Sequence, residues 1–106
     1  MSAMNTRYYK VKGSWWADTT IPTSTGEVQV RTWPFGGSCK TMAMEFELVT
    51  DMDEPRLRHR HDGWERSFGY HHAPGATKRN VTEHHEHAIA QLRTLRPELF
   101  TRTLTP

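Results

Sequence analysis

One cysteine, Cys39, occurs in 106 residues, so no internal disulfide can form and packing alone must hold the chain. The expected place for that thiol is a small buried site, because a reactive thiol needs an electropositive, accessible setting and Lys40 is only one neighbour. Long apolar runs are missing too: no stretch approaches the roughly 18 to 20 residues that cross a bilayer, so no membrane partner is expected. Residues 1–10 lack the apolar core of a secretory signal, which makes the cytoplasm the default expectation. Charge of one sign is scarce at a formal net +2, and any basic patch must therefore be local. Also absent are a phosphate-binding loop, a dinucleotide fingerprint and a nucleophile elbow; His85-Glu86 is followed by Ile89 where a zinc protease needs its second histidine. With no catalytic motif, the reading leans away from an enzyme.

Seven histidines are present, all between His59 and His87. Imidazole changes charge near neutral pH and is the commonest transition-metal ligand. On a helix, Glu83, His84 and His87 fall on neighbouring flanks and could touch one ion, zinc or another divalent transition metal, if His59, His61 or His71 closed the set. The competing reading is a solvated face whose carboxylates and imidazoles pair loosely. His85 points into the apolar stripe and is expected to be a neutral core residue.

The length suits one domain, residues 1–106. Residues 7–16 read as a first strand with Tyr9, Val11 and Trp15 together, and 18–26 as a loop. Residues 27–33 form a strict alternation, Val28 and Val30 opposed to Gln29, Arg31 and Trp33. Pro34 and Gly36-Gly37 predict a turn. Residues 40–49 form the third strand, with Met42, Met44, Phe46 and Leu48 on the buried side and Glu45 and Glu47 on the wet side. After a long polar connection, residues 64–71 supply a fourth strand carrying Phe68 and Tyr70. Asn80 with Glu83 three residues on predicts a helix start, and Val81, His85, Ala88, Ile89, Leu92 and Leu95 make its apolar stripe up to Pro97. Leu99 and Phe100 are expected to pack as a last short turn. The fold class is α+β: a three- to four-stranded antiparallel sheet covered on one face by a single C-terminal helix.

Two surfaces stand out. The wet sheet face is expected to carry Tyr8, Lys10, Lys12 and Trp16 with Arg31 and Trp33; basic residues among aromatics suit single-stranded nucleic acid, by stacking and backbone contact. Glu45 and Glu47 on that face weaken this alternative, and a cluster of aromatics with mixed charge better suits a protein partner. Trp15, beside the outward Trp16, is assigned to the core. In the loop of residues 51–62, Arg56, Arg58 and Arg60 form a comb for phosphates or an acidic surface, unless local acids neutralise it. The leading expectation is a small non-enzymatic interaction module, inhibitor-like or accessory, that binds a macromolecular partner. A metal-binding protein is the second reading and a single-stranded nucleic-acid binder the third.

Overall fold

A computed structural model describes residues 4–51, 53–60, 65–70 and 75–101, with Gly69, Tyr70 and Thr101 described in backbone only. The sheet begins with β1 (Asn5–Val11) and β2 (Ser14–Pro22), joined through Lys12 and Gly13. Both turn residues have positive φ, 51° and 82°, the requirement of a two-residue type I′ turn, whose twist matches the strands it joins. The expected single strand over 7–16 is thus a hairpin. The turn places Tyr9 and Trp16 opposite each other and removes Trp15 from their face. Nor is 18–26 a loop: β2 runs on to Pro22, its last residue, where a missing N–H does least damage.

The antiparallel order continues through β3 (Gly26–Phe35) and β4 (Ser38–Val49), turning at Gly36, φ 61°. Along its far edge the long β4 carries two shorter strands, β5 (Arg56–His59) beside Phe46–Val49 and β6 (Glu65–Tyr70) beside Lys40–Met44. The sheet therefore has six strands, two to three more than expected. Against the four expected strands the additions are β2, the second half of the first hairpin, and β5, which lies in the polar connection.

Helix α1 (Lys78–Leu95) crosses one face, followed by the short α2 (Glu98–Thr101). Thr77, not Asn80, is the N-cap: its Oγ1 accepts from the Asn80 N–H at 3.1 Å, while the Asn80 side-chain amide donates to the Gly75 carbonyl. Thr77→Ala should lower stability by about 1 kcal/mol in urea unfolding, and Thr77→Ser should restore most of it. Under α1 the core is Ile21, Val28, Val30 and Ala43 with Leu92, Leu99 and Phe100. A second cluster of Ala17, Cys39 and Val81 is flanked by Tyr8, Trp15 and Ala76. Cys39 is fully buried, as expected of a small apolar residue.

The buried side of β4 is the reverse of the one expected. Cys39, Thr41 and Ala43 lie under the helix, whereas Met42, Met44 and Phe46 are half-buried on the opposite face and Leu48 is exposed there. Small side chains let the helix approach closely, and two imidazoles fill the space that remains. Among the described residues no helix is long and apolar enough to cross a membrane.

Candidate functional site

Between helix and sheet runs an unbroken chain of side-chain hydrogen bonds. Thr6 Oγ1 meets Thr19 Oγ1 at 2.7 Å, and Thr19 Oγ1 meets His85 Nε2 at 2.7 Å. His85 Nδ1 lies 2.8 Å from Thr32 Oγ1, which meets Thr41 Oγ1 at 2.6 Å, and Thr41 Oγ1 ends the chain on His84 Nδ1 at 2.5 Å. A neutral imidazole has one N–H and one bare nitrogen, so one threonine donates to His85 and the other accepts from it. Burial pushes His85 from its ordinary 6.5 down to about 4, and the nearby His84 acts in the same direction, against the Asp18 carboxylate. His85 is a satisfied neutral core histidine, as its place in the stripe implied. His84 is buried too, where a flank position was expected.

The expected metal set is dispersed. Glu83 is exposed and paired with Arg79 at 3.1 Å, and His87 is exposed with its Nε2 3.0 Å from the Gln91 amide nitrogen. His84 turns inward to Thr41. His59 lies on β5, its ring 5.5 Å from Phe46 and its Nε2 3.5 Å from a Glu65 carboxylate oxygen. Among the described residues no group of three or more His, Cys, Asp or Glu side chains is placed to hold a metal ion. His61 and His71 lie outside the described residues.

The expected sheet-face patch is partly assembled. Trp16, Arg31 and Trp33 share the face away from the helices, where alternation along β2 and β3 sets them beside Asp18 and Gln29. Tyr8 and Lys10 do not. Tyr8 lies on the helix side, edge-on to His85 with centroids 6.1 Å apart, in a cleft of about 340 Å³ bordered by Met4, Thr6, Glu86 and Arg93. Lys10 stands over the Trp15 ring at 5.6 Å, and Lys12 occupies the β1–β2 turn. Three of the basic and aromatic groups expected beside Trp16 are thereby lost, and Tyr9 takes the place of Tyr8.

Tyr9 and its neighbours form a closed group. The Tyr9 hydroxyl donates to Asp18 Oδ2 at 2.7 Å, Arg31 Nε donates to Asp18 Oδ1 at 2.8 Å, and Arg7 approaches the same carboxylate at 3.6 Å. Above them lie two rings: Arg7 stands 5.0 Å over Tyr9 and Arg31 5.8 Å over Trp16. Burial opposes ionisation of Asp18, but the hydrogen bonds from Arg31 and Tyr9 and the charges of Arg31 and Arg7 outweigh it and hold the carboxyl below its usual range.

Farther along the same face stand Met42, Met44 and Phe46 of β4, then Leu48 opposite Leu57 of β5. Glu45 and Glu47 belong to the other parity, and Glu47 accepts from Arg58 at 2.9 Å. The arginine comb is therefore partly neutralised: Arg58 is paired, Arg56 borders a shallow hollow with Asp53, Glu54 and Pro55, and the Arg60 backbone donates to the Glu45 carbonyl. The residues missed in the sequence are Tyr9, Asp18, Met42, Met44 and Phe46 on this face, and the four threonines beneath the helix. One signal was available for the threonines: 17, 19 and 21, then 28, 30 and 32, then 39, 41 and 43 continue a single alternation of small side chains through three strands. Comparison with protein-family models, curated proteins and solved structures finds no match for the chain.

Proposed function

We propose that this protein is a small interaction module that holds a macromolecular partner against the sheet face opposite its helices. Trp16, Trp33 and Arg31 are its anchors, with Tyr9 in the place first given to Tyr8. The observation that carries this reading is the distribution of large apolar groups: Trp16, Trp33, Met42, Met44 and Phe46 all lie on that face, while β3 and β4 present valine, alanine, threonine and cysteine to the helices and the large groups there, Ile21, Tyr8 and Trp15, are packed in the core or against it. Tryptophan and tyrosine concentrate binding energy because each offers a large contact area with little conformational freedom to lose, and arginine adds a planar fork of hydrogen-bond donors. Arg56 and the Glu47-paired Arg58 stand in register with Val49 and Glu47, on the reverse parity of β5 from Leu57, so the anchors on the open face act without them.

The test is capture of binding partners on the immobilised chain and on a Trp16→Ala/Trp33→Ala double variant whose circular dichroism and melting temperature match the parent. Binding should weaken at least about 30-fold, the effect of losing one such anchor worth about 2 kcal/mol, and several hundred-fold where the two act independently. Undiminished capture by the folded variant would remove the face from contention. Retention on single-stranded nucleic acid, falling steeply with salt, would favour that partner class over protein.

A further inference from the structure

We infer that the partner on this face is a second copy of the same chain, packed sheet against sheet as a twofold dimer. The inference rests on the reading above and names its occupant.

Five large hydrophobic side chains are exposed among the described residues, and four of them, Val11, Phe35, Leu48 and Leu57, each 40 to 48% exposed, belong to this one face. They mark its two ends. The β1–β2 and β3–β4 registers put Val11 and Phe35 at one end of the strands, and the β4–β5 register puts Leu48 beside Leu57 at the other. Between the ends lie Trp16, Trp33, Met42, Met44 and Phe46. Scattered exposed hydrophobics are ordinary on a soluble protein, but a continuous apolar strip on one face marks a contact surface.

Charge selects the occupant. A face of one sign would repel its own copy and call for an oppositely charged partner. On this face charges of both signs are interspersed: Asp18 is held by Arg31, Tyr9 and Arg7, Glu27 accepts from the Gln29 amide, Glu65 lies beside His59, and Lys40 stands 5.2 Å over the Phe35 ring. Two such faces meet without unlike charges having to be supplied from outside. With the twofold axis running across the strands, the Val11/Phe35 end of one copy covers the Leu48/Leu57 end of the other.

Size agrees. Strands spaced about 4.8 Å apart and rising about 3.3 Å per residue make the face roughly 20 Å by 30 Å. Two copies would then bury on the order of 1,200 Å², at the lower edge of stable protein interfaces. Aligned sheets pack in this way at about 10 Å separation, with side chains of that size interleaved.

Sedimentation equilibrium of the full chain over a micromolar to 100 μM range decides the matter. The expected mass is twice 12.3 kDa, with Leu48→Lys and Phe35→Lys each weakening dimerisation at least 30-fold. Leu95→Lys, at the remaining exposed hydrophobic, on the helix, should leave the mass unchanged. Both Leu48 and Phe35 are exposed, so the variants should keep the parent's circular dichroism. A parent that stays monomeric at 100 μM overturns the inference. If Trp16→Ala/Trp33→Ala then still abolishes capture of another partner, the interaction reading survives without it. A dimer dissolved by Leu95→Lys and indifferent to Leu48→Lys overturns both, because the interface would lie on the helix.

Discussion

Between pH 7 and pH 4 the protein should lose about 3 kcal/mol of unfolding free energy through His85 alone, because one pKa unit corresponds to about 1.4 kcal/mol. In the unfolded chain this ring takes up a proton near 6.5; in the folded protein it does so only near 4. As pH falls through that interval, the unfolded state binds the proton first and is favoured. The contribution is therefore complete above 6.5, declines between 6.5 and 4, and is spent below 4, where both states carry the charge. Asp18 acts in a different window. Its folded carboxyl is held below the ordinary value of 3.8, so its share is intact above 3.8 and is lost only in stronger acid. A loss of about 3 kcal/mol is a large part of the 5–15 kcal/mol that holds a typical small domain.

Urea unfolding at a series of pH values measures this directly. His85→Gln keeps a donor and an acceptor between Thr19 and Thr32 but cannot titrate. Its unfolding free energy should start lower at pH 7 and then stay within about 1 kcal/mol down to pH 4, once the single-group linkage is removed. Parallel pH profiles for parent and variant would refute the assignment. Burial explains why the ring resists protonation: beneath the helix a charged imidazole would lose its hydration, and the neighbouring His84 adds to that cost. The threonine hydroxyls on both ring nitrogens hold the neutral ring in place.

Much of the fold was legible. The alternation over 27–33, the turn at Gly36-Gly37, the long strand ending at Val49, the strand around Phe68 and the helix stripe from Val81 to Leu92 all stand where the sequence put them. Leu99 and Phe100 close the core from the last short turn. What escaped has two physical causes. Lys12-Gly13 is a weak turn signal because lysine rarely accepts positive φ, so the first hairpin read as one strand and Tyr8 took the side that belongs to Tyr9. The second cause is size. Transfer free energy favours burying methionine and phenylalanine over threonine and alanine, which pointed to Met42 and Phe46 as core. The helix instead brings two histidines to the sheet, and these need hydroxyl partners and room. Thr19, Thr32 and Thr41 supply both, so the larger side chains are left on the opposite face. The candidate site was half visible for the same reason: Trp16, Trp33 and Arg31 follow from alternation, whereas the methionines beside them depend on which face the helix selects.

Gly26→Ala should destabilise the protein by about 3 kcal/mol or more, the upper range for forcing extra volume into a packed site. A Cβ at this position would lie 2.0 Å from the Phe46 carbonyl oxygen and 2.8 Å from the Glu47 Cα. Both are backbone atoms of the neighbouring strand, so no side chain can swing aside; β3 and β4 would have to separate. The Leu48 N–H donating to the Thr25 carbonyl at 2.8 Å ties β4 to the residue just before Gly26, and the Thr23 N–H donating to the Gly26 carbonyl at 2.9 Å closes the turn from β2 on its other side. The strain would spread along the register that sets Glu27 opposite Phe46 and Gln29 opposite Met44, and would displace the apolar centre of the open face. Gly37→Ala is the matched control: no heavy atom lies within 4 Å of its Cβ and its φ is not positive, so restricting the unfolded chain should leave it neutral or up to about 1 kcal/mol more stable. Urea denaturation of the two variants should separate them by at least about 3 kcal/mol on these grounds. Equal stability would mean that β3 and β4 do not approach each other at Gly26 as closely as described, and that the alignment of Met44 and Phe46 on the binding face has another origin.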